Sequence, residues 1–165
     1  MNIITWTPCS QKVWGRQHGD ILSFVRKYGR RRISSEVYRS LMKLSYNELL
    51  EDGSSVLLAT IQTEDGPRLA GFSIVAAYGK KICLVLVHPL YRGRGIGSKL
   101  LARQLSILGH LTCHVALDNI SCLNMCFHAG LTAKRLIIVQ GGRKVLLLDD
   151  KPGSSLSAAN ILQRR

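Results

Sequence analysis

The segment from Leu84 to Gln104, LVLVHPLYRGRGIGSKLLARQ, constrains the fold of this chain more than any other. Its first residues, Leu84 to Val87, form an apolar run that predicts a buried strand, which ends before Pro89 because proline cannot donate to a sheet ladder. Three glycines alternate with other residues in the turn that follows, and an apolar pattern with helical spacing begins at Ser98. The segment therefore predicts a strand, a glycine-rich turn and a helix in direct succession.

Such a turn is suited to binding an anion. The N–H groups of the first helical turn have no partner inside the helix, and the helix dipole favours negative charge in front of them. The glycines let the backbone approach a ligand closely, and Arg92 and Arg94 add donors that suit phosphate. We predict a pyrophosphate site that consists of Arg92, Gly93, Arg94, Gly95, Ile96, Gly97 and Ser98. A surface turn that is merely rich in glycine and arginine is the alternative interpretation.

The spacing of the glycines distinguishes this turn from two common phosphate loops. A dinucleotide fingerprint requires G-x-G-x-x-G, and a nucleoside-triphosphate loop requires G-x-x-x-x-G-K followed by serine or threonine; the chain has neither. The spelling Arg92-x-x-Gly95-x-Gly97, after a strand that ends in V-H-P, resembles the acetyl-CoA loop of the GNAT superfamily of N-acetyltransferases. The resemblance implies acetyl-CoA as cofactor and acyl donor.

The other segments follow in an order that agrees with that family. The predicted elements are strands over 3–7, 56–62, 69–78, 82–87, 112–117, 136–139 and 145–148, and helices over 20–28, from Ser35 toward Gly53, over 98–108 and over 121–129. The predicted fold class is therefore α/β. The order β-α-α-β-β-β-α-β-α-β-β resembles the GNAT fold, which implies a mixed central sheet of about seven strands flanked by about four helices.

Length and composition indicate one domain with a substantial core. The chain has 165 residues, of which 46% are hydrophobic, and we predict a single domain over residues 1–150. Residues 151–165 are rich in small residues and predict a mobile or loosely docked tail. We expect neither a membrane span nor a signal peptide, and therefore a cytoplasmic protein. Its five cysteines should stay reduced, with no disulfide framework and no metal site.

The net charge of +13 is large for a chain of this size and favours an acidic or polyanionic partner. The densest basic cluster follows the first long helical pattern and consists of Arg26, Lys27, Arg30, Arg31 and Arg32. It is either a binding patch or a solvated helix end and loop, and the sequence leaves both open. In the GNAT family this region lines the side of the site where the acceptor binds, so the resemblance implies a basic patch next to the acceptor.

The resemblance also implies where acetyl-CoA binds. In the family the fourth and fifth strands diverge like a V and hold the pantetheine arm between them; here these are the strands over 82–87 and 112–117. Backbone groups of Leu86 and Val87 would bind the arm and polarise the thioester carbonyl. Asn119, just after the fifth strand, lies where the family often places a side chain on the pantetheine.

Catalytic residues are less clearly marked than the binding turn. The family often has a tyrosine acid in the helix after the fifth strand, in a pattern near N-x-x-A-x-x-x-Y-x-x-x-G-F, and this chain has Cys126 there. Cys126 is either a weak proton donor or a buried structural cysteine. His88 and Asp118, at the ends of the fourth and fifth strands, are candidates for acid–base work, whereas His114 is interpreted as a satisfied strand residue. A C-x3-C-x-H spacing in the same helix is too weak to predict zinc.

Two functions from different classes remain open from the sequence. The first is an acetyl-CoA-dependent N-acetyltransferase that transfers acetyl directly to an amine on an acidic or nucleic-acid-associated acceptor, such as aminoacyl-tRNA, a nucleobase in DNA or a protein amine. The second is a non-catalytic GNAT-fold module that binds nucleic acid or protein through its basic face. The complete phosphate turn favours the enzyme, and both a monomer and a homodimer agree with the sequence.

Overall fold

The computed structural model describes residues 1–151, so the predicted tail, apart from Lys151, lies outside the described residues. The elements in chain order are β1 Asn2–Trp6, α1 Gln11–Tyr28, α2 Ser35–Lys43, α3 Tyr46–Leu49, β2 Ser55–Thr63, β3 Gly66–Ala76, β4 Ile82–Val87, α4 Ile96–Leu108, β5 Thr112–Ala116, α5 Ile120–His128, β6 Thr132–Ile138 and β7 Lys144–Asp149. Short 3-10 turns, Ala77–Gly79 and Pro89–Tyr91, stand on either side of β4. Among the described residues, no helix has the length and apolar character to cross a membrane.

The first four strands form one antiparallel sheet in the order β1-β2-β3-β4. Side chains of β4 alternate between its two faces, as the period of a strand requires. Ile82, Leu84 and Leu86 are buried in the core formed with α1 and α2, whereas Val85 and Val87 pack against the start of α4. β4 therefore lies between two helical layers, which explains why its sequence is apolar without interruption.

The last three strands form a separate antiparallel sheet in the order β5-β7-β6. Within the described residues no ladder joins β4 to β5, so the predicted single mixed sheet is divided at this point into two. Near the starts of the two strands, Cys83 of β4 packs against the cluster that contains Cys113 of β5. Gly79, in the turn before β4, has a φ of +90°, and a Cβ there would overlap the carbonyl oxygen of Thr112 at the start of β5. This contact is the closed end of the gap between the sheets.

The helix α1 begins well before the predicted Asp20. Ser10 caps it by accepting a hydrogen bond from the Val13 N–H at 3.3 Å, and Trp14 anchors the first turns in the core, where only 4% of its surface is exposed. Gly15 and Gly19 lie in the first half of the helix, where glycine is less favourable than most other residues. The cap and the buried indole compensate for them.

The single helix predicted after Ser35 is two helices. α2 ends at Lys43, its C-cap Leu44 has an extended backbone, and Ser45 then caps α3 in a capping box with Glu48. The Leu44 carbonyl, which the break removes from the helical ladder, accepts a hydrogen bond from the Trp14 indole at 3.2 Å. The break turns the chain from the helical layer back to β2.

Candidate functional site

The glycine-rich turn leads into an uncapped helix N-terminus. Gly93 and Gly95 adopt φ values of +73° and +74°, which glycine tolerates best, and no atom lies within 4 Å of where a Cβ would stand. No side chain caps α4 at Gly95. Its first backbone hydrogen bond runs from the Lys99 N–H to the Gly95 carbonyl at 3.0 Å, so the amides of residues 96–98 have no partner inside the helix. Free N–H groups and open space are what an anion site requires.

Arg92 has a structural role that its place in the motif did not predict. Its guanidinium donates from Nε to the Val87 carbonyl and from Nη2 to the Tyr28 carbonyl, both at 2.9 Å. It thereby ties the end of β4 to the end of α1. Burial, and then the nearby charge of Arg32, lower the pKa of Arg92. The turn keeps its position through this arginine.

Of the other predicted residues of the turn, Arg94 contacts an aromatic ring, whereas Ile96 and Gly97 serve packing. Arg94 lies over the ring of Tyr91, with its Cζ 5.7 Å from the ring centroid. Ile96 is buried in the core. Gly97 allows α4 and α5 to pack closely, since a Cβ on it would lie 2.5 Å from the Sδ of Met125. The third glycine of the motif therefore serves helix packing rather than an unusual φ.

A cavity of about 1100 Å³ fills the gap between β4 and β5. It is lined by residues 83–87 of β4, 114–116 of β5, 91–93 and 95–99 of the turn and α4, and Asn119, Ser121, Cys122, Asn124, Met125 and His128. Toward α2 and the β6–β7 hairpin its lining consists of Arg32, Ile33, Ser34, Glu36, Val37, Val139, Gln140, Arg143 and Val145. The anion-binding turn, including Ser98, and the gap between the strands thus belong to one continuous space.

The peptide groups of β4 alternate between the sheet and this cavity. The His88 N–H donates to the Ala70 carbonyl at 2.7 Å, which sets the alternation along the strand. Leu86 therefore directs its N–H and carbonyl toward β3. Val87 directs its own toward the gap, where its carbonyl accepts the hydrogen bond of Arg92. Of the two residues predicted to offer backbone groups to a ligand, Leu86 offers them to the sheet and Val87 to the gap.

Asn119 and Asp118 both follow β5, but only Asn119 lines the cavity between β4 and β5. Asn119 is the N-cap of α5, and its Oδ1 accepts a hydrogen bond from the Cys122 N–H at 3.2 Å. It lines the cavity beside the strands, as its predicted role requires. Asp118 does not line that cavity and lies in a neighbouring one. Its position therefore offers no direct contact with the gap between β4 and β5.

Cys126 is a buried core residue. Only 2% of its surface is exposed, and its Sγ lies 3.7 Å from that of Cys113 on β5. The hydrogen bond with Cys113, together with burial, raises the pKa of the Cys126 thiol. Cys122 and Met125 of the same helix line the cavity, whereas Cys126 does not. The proton-donor role considered for Cys126 does not fit this position, and the packing interpretation does.

His88 fixes the turn after β4 and does not line the cavity in the gap. Its Nδ1 accepts a hydrogen bond from the Leu90 N–H at 3.2 Å, and its ring centroid lies 4.4 Å from that of Tyr28. Burial, followed by the charges of Lys27 and Arg92, lowers the pKa of His88. The predicted acid–base role of His88 therefore has no support from its position.

His114, which the sequence analysis interpreted as a satisfied strand residue, lies beside the gap. It is exposed and lines the cavity, whereas its neighbours Cys113 and Val115 are buried among the residues that pack on α4 and α5. The alternation of the strand therefore directs His114 to the opposite face, toward α2. That alternation was visible in the sequence, and the resemblance implied a gap beside the strand, but which face of the strand meets the cavity depends on the tertiary structure.

Four residues of the predicted basic patch line a second cavity, of about 890 Å³: Lys27, Arg30, Arg31 and Arg32. Arg26 is not among them, and its guanidinium donates to the Ser23 Oγ at 3.3 Å. The second cavity adjoins the first, because both are lined by Arg32, Ile33, Ser34, Arg92, Ala116, Asn119, Ser121 and Arg143. The basic patch therefore stands next to the gap between the strands.

Comparison with protein families decides the family of the chain. The model of the Acetyltransferase (GNAT) family matches residues 20–126, which is more than half of the chain. The chain belongs to the GNAT acetyltransferase family. The matched region contains the basic patch, the turn before α4 and most of α5. A comparison with curated proteins gives no match.

Solved GNAT structures have the same fold as this GNAT-family chain. The NatC complex bound to Gag peptide and CoA matches with a TM-score of 0.62 at 16% identity, over 90% of this chain and 98% of that chain. A spermidine N-acetyltransferase SpeG chimera from Vibrio cholerae and hSSAT matches with a TM-score of 0.56 at 14% identity, over 90% of this chain and 95% of that chain. The aminoglycoside acetyltransferase AAC(6')-Ib in complex with coenzyme A and kanamycin matches with a TM-score of 0.55 at 12% identity, over 89% of this chain and 94% of that chain. The α/β GNAT fold predicted from the sequence is confirmed.

Proposed function

We propose that this GNAT-family chain is an acetyl-CoA-dependent N-acetyltransferase. The observation that carries the proposal is the continuity of the uncapped N-terminus of α4 with the cavity between β4 and β5. A pyrophosphate on the amides of residues 96–98 would leave a path for a long, narrow arm along the strands. The open space at Gly93 and Gly95 and the cavity volume of about 1100 Å³ fit such a ligand. The NatC complex and AAC(6')-Ib, which share the fold, were solved with CoA.

Several groups of the chain would each bind a different part of acetyl-CoA. When bound, acetyl-CoA supplies an acetyl group as a thioester that an amine can attack. The amides of residues 96–98 would hold its pyrophosphate, and the Val87 N–H would donate into the gap between the strands. Asn119 would face the same space, with its Oδ1 engaged in the cap of α5 and its amide nitrogen available to donate.

His114 is our candidate for the group that accepts the proton of the acceptor amine. An ammonium must lose a proton before or during its attack, and an imidazole is the side chain best suited to accept one near neutral pH. His114 lines the cavity on the face opposite α4 and α5, whereas Cys126 and His88 do not line it. The group that leaves is a thiolate, and since a thiol such as that of cysteine has a reference pKa of about 8.5, a thiolate can depart without a strong acid from the protein.

The acceptor is proposed to be an amine on an acidic or nucleic-acid-associated molecule, with aminoacyl-tRNA, a nucleobase and a protein amine as examples. The net charge of +13 and the arginines beside the cavity support this class. They disfavour a polycation, because a cationic acceptor would be repelled from this side of the cavity. Spermidine and kanamycin, in the names of the structural relatives, are such polycations.

Calorimetric titration with acetyl-CoA tests the proposal, with Gly95→Asp and Gly95→Asn as a matched pair. Both side chains have nearly the same size and tolerate positive φ better than most. The aspartate would occupy the helix N-terminus with negative charge, so we expect it to weaken acetyl-CoA binding at least tenfold more than the asparagine. Equal affinity of the parent and Gly95→Asp would refute the assignment of the turn to the donor.

A non-catalytic GNAT-fold module that binds nucleic acid or protein through its basic face is the second candidate. It is favoured by the burial of Cys126, at the position where the family often has its acid. The release of free CoA thiol, measured in the presence of an amine acceptor, separates the two candidates. Tight RNA binding without any acetyl-CoA binding would identify the module, and thiol release that depends on the acceptor would identify the enzyme.

A further inference from the structure

We infer that the second cavity, next to the gap between β4 and β5, binds several consecutive phosphates of a single-stranded nucleic acid that carries the acceptor amine. The inference rests on the proposed function and adds the site and the chemical class of the acceptor. The cavity of about 890 Å³ is lined by six cationic side chains: Lys27, Arg30, Arg31, Arg32, Arg92 and Arg143. Asp118 is the one carboxylate among the described residues that line it.

The positive charges of this cavity are largely uncompensated. Within residues 1–151, neither Lys27 nor Arg30, Arg31 or Arg32 forms an ion pair with a carboxylate. Their repulsion acts on a neighbouring group: after burial, the charge of Arg32 contributes to the lowered pKa of Arg92. Like charges held together in this way are stabilised by a bound anion.

The number and type of these side chains indicate the class of anion. One phosphate carries at most two negative charges, which is fewer than the cationic groups around the cavity, so a ligand with several phosphates matches them better. Five of the six are arginines, whose planar fork of donors suits phosphate oxygens. Tyr28 and Ile120 also line this cavity, and the exposed side chain of Ile120 offers an apolar surface to an unpaired base. A single strand therefore fits better than an acidic peptide.

Arg143 links this cavity to the gap where acetyl transfer would occur. It lines both spaces, and its Nη2 lies 3.0 Å from Oε2 of Glu36 at the start of α2. A phosphate would compete with Glu36 for this guanidinium. Ser34 and Asn119 also line both spaces, so an amine attached to a strand in the second cavity has a short route to the gap.

Fluorescence anisotropy with a labelled single-stranded RNA oligonucleotide, measured over a series of salt concentrations, tests the inference. The test variant is the double substitution Arg30→Gln and Arg31→Gln, and the charge-matched control is Arg16→Gln with Arg103→Gln, two exposed helical arginines that line neither cavity. Circular dichroism verifies that both variants fold. A polyglutamate peptide of equal charge serves as the acidic competitor, and the parent protein is titrated separately with acetyl-CoA.

Loss of two phosphate contacts should lower the slope of log affinity against log salt by about 1.4, and weaken binding about 25-fold at about 0.1 M salt. The control variant should bind RNA like the parent, and polyglutamate should compete poorly. Equal losses in both variants, equal competition by polyglutamate, or no RNA binding by the parent would each overturn the inference. Specific RNA binding by a parent that does not bind acetyl-CoA would leave the phosphate site standing and refute the proposed enzyme instead.

Discussion

Replacement of Arg92 by alanine should destabilise the protein, whereas replacement of Arg94 should not. The two arginines stand in the same turn and both suit a phosphate by type. Arg92, however, donates to the carbonyls of Val87 and Tyr28, and Arg94 only lies over the ring of Tyr91. The pair therefore separates a positioning role from a surface role within one motif.

The magnitude follows from the two hydrogen bonds of the guanidinium. A hydrogen bond from a charged donor contributes about 1.5–3 kcal/mol, so two bonds set an upper range of about 3–6 kcal/mol. Removal of the charge also relieves the repulsion from Arg32, which reduces the net loss. We expect Arg92→Ala to lower the free energy of unfolding by about 2–4 kcal/mol, and the melting temperature by roughly 5–15 °C. Arg94→Ala should lose less than about 1 kcal/mol.

Urea denaturation, followed by the fluorescence of Trp6 and Trp14 and by circular dichroism, measures these differences. Arg92→Lys should be intermediate, because one ammonium cannot reproduce the fork that reaches two carbonyls. Each variant is also titrated with acetyl-CoA. An Arg92→Ala variant that unfolds like Arg94→Ala, and has lost only its acetyl-CoA affinity, would refute the positioning role and restore the phosphate role predicted from the motif.

Two further predictions concern the closed end of the gap and the turn after β4. Gly79→Ala should lower the free energy of unfolding by at least about 3 kcal/mol, because a Cβ at φ +90° would overlap the Thr112 backbone. Gly93→Ala places its Cβ in open space and should lower the free energy of unfolding by only about 1 kcal/mol. Thermal melts that show equal destabilisation of the two variants would contradict this account. The lowered pKa of His88 means that the unfolded chain takes up its proton more readily, so stability should fall as the pH drops from 7 toward 5. His88→Asn should reduce that fall in urea denaturation, and an unchanged pH dependence would exclude His88 as its source.

Local sequence rules predicted the elements around the motif well. The strand β4 has the predicted bounds, and α4 and α5 begin within two residues of their predicted starts. Apolar alternation, proline and glycine act over a few residues and need no distant partner. The extension of α1 to Gln11 and the break at Leu44 were missed, because both depend on Trp14, which is buried in the core and donates to a carbonyl thirty positions away.

The sequence by itself determined the family, the order of the elements and the existence of an anion-binding turn, because these follow from short-range spacing. Only the tertiary structure decided what the side chains near that turn face. Arg92 bonds to a carbonyl 64 positions earlier in the chain, Cys126 is buried against β5, and His114 lines a gap between two sheets. A side chain's direction follows from its own strand or helix, but whether it meets a cavity or a core depends on elements that are distant in the chain. That is why the binding turn could be predicted from the sequence, whereas the catalytic candidates could not.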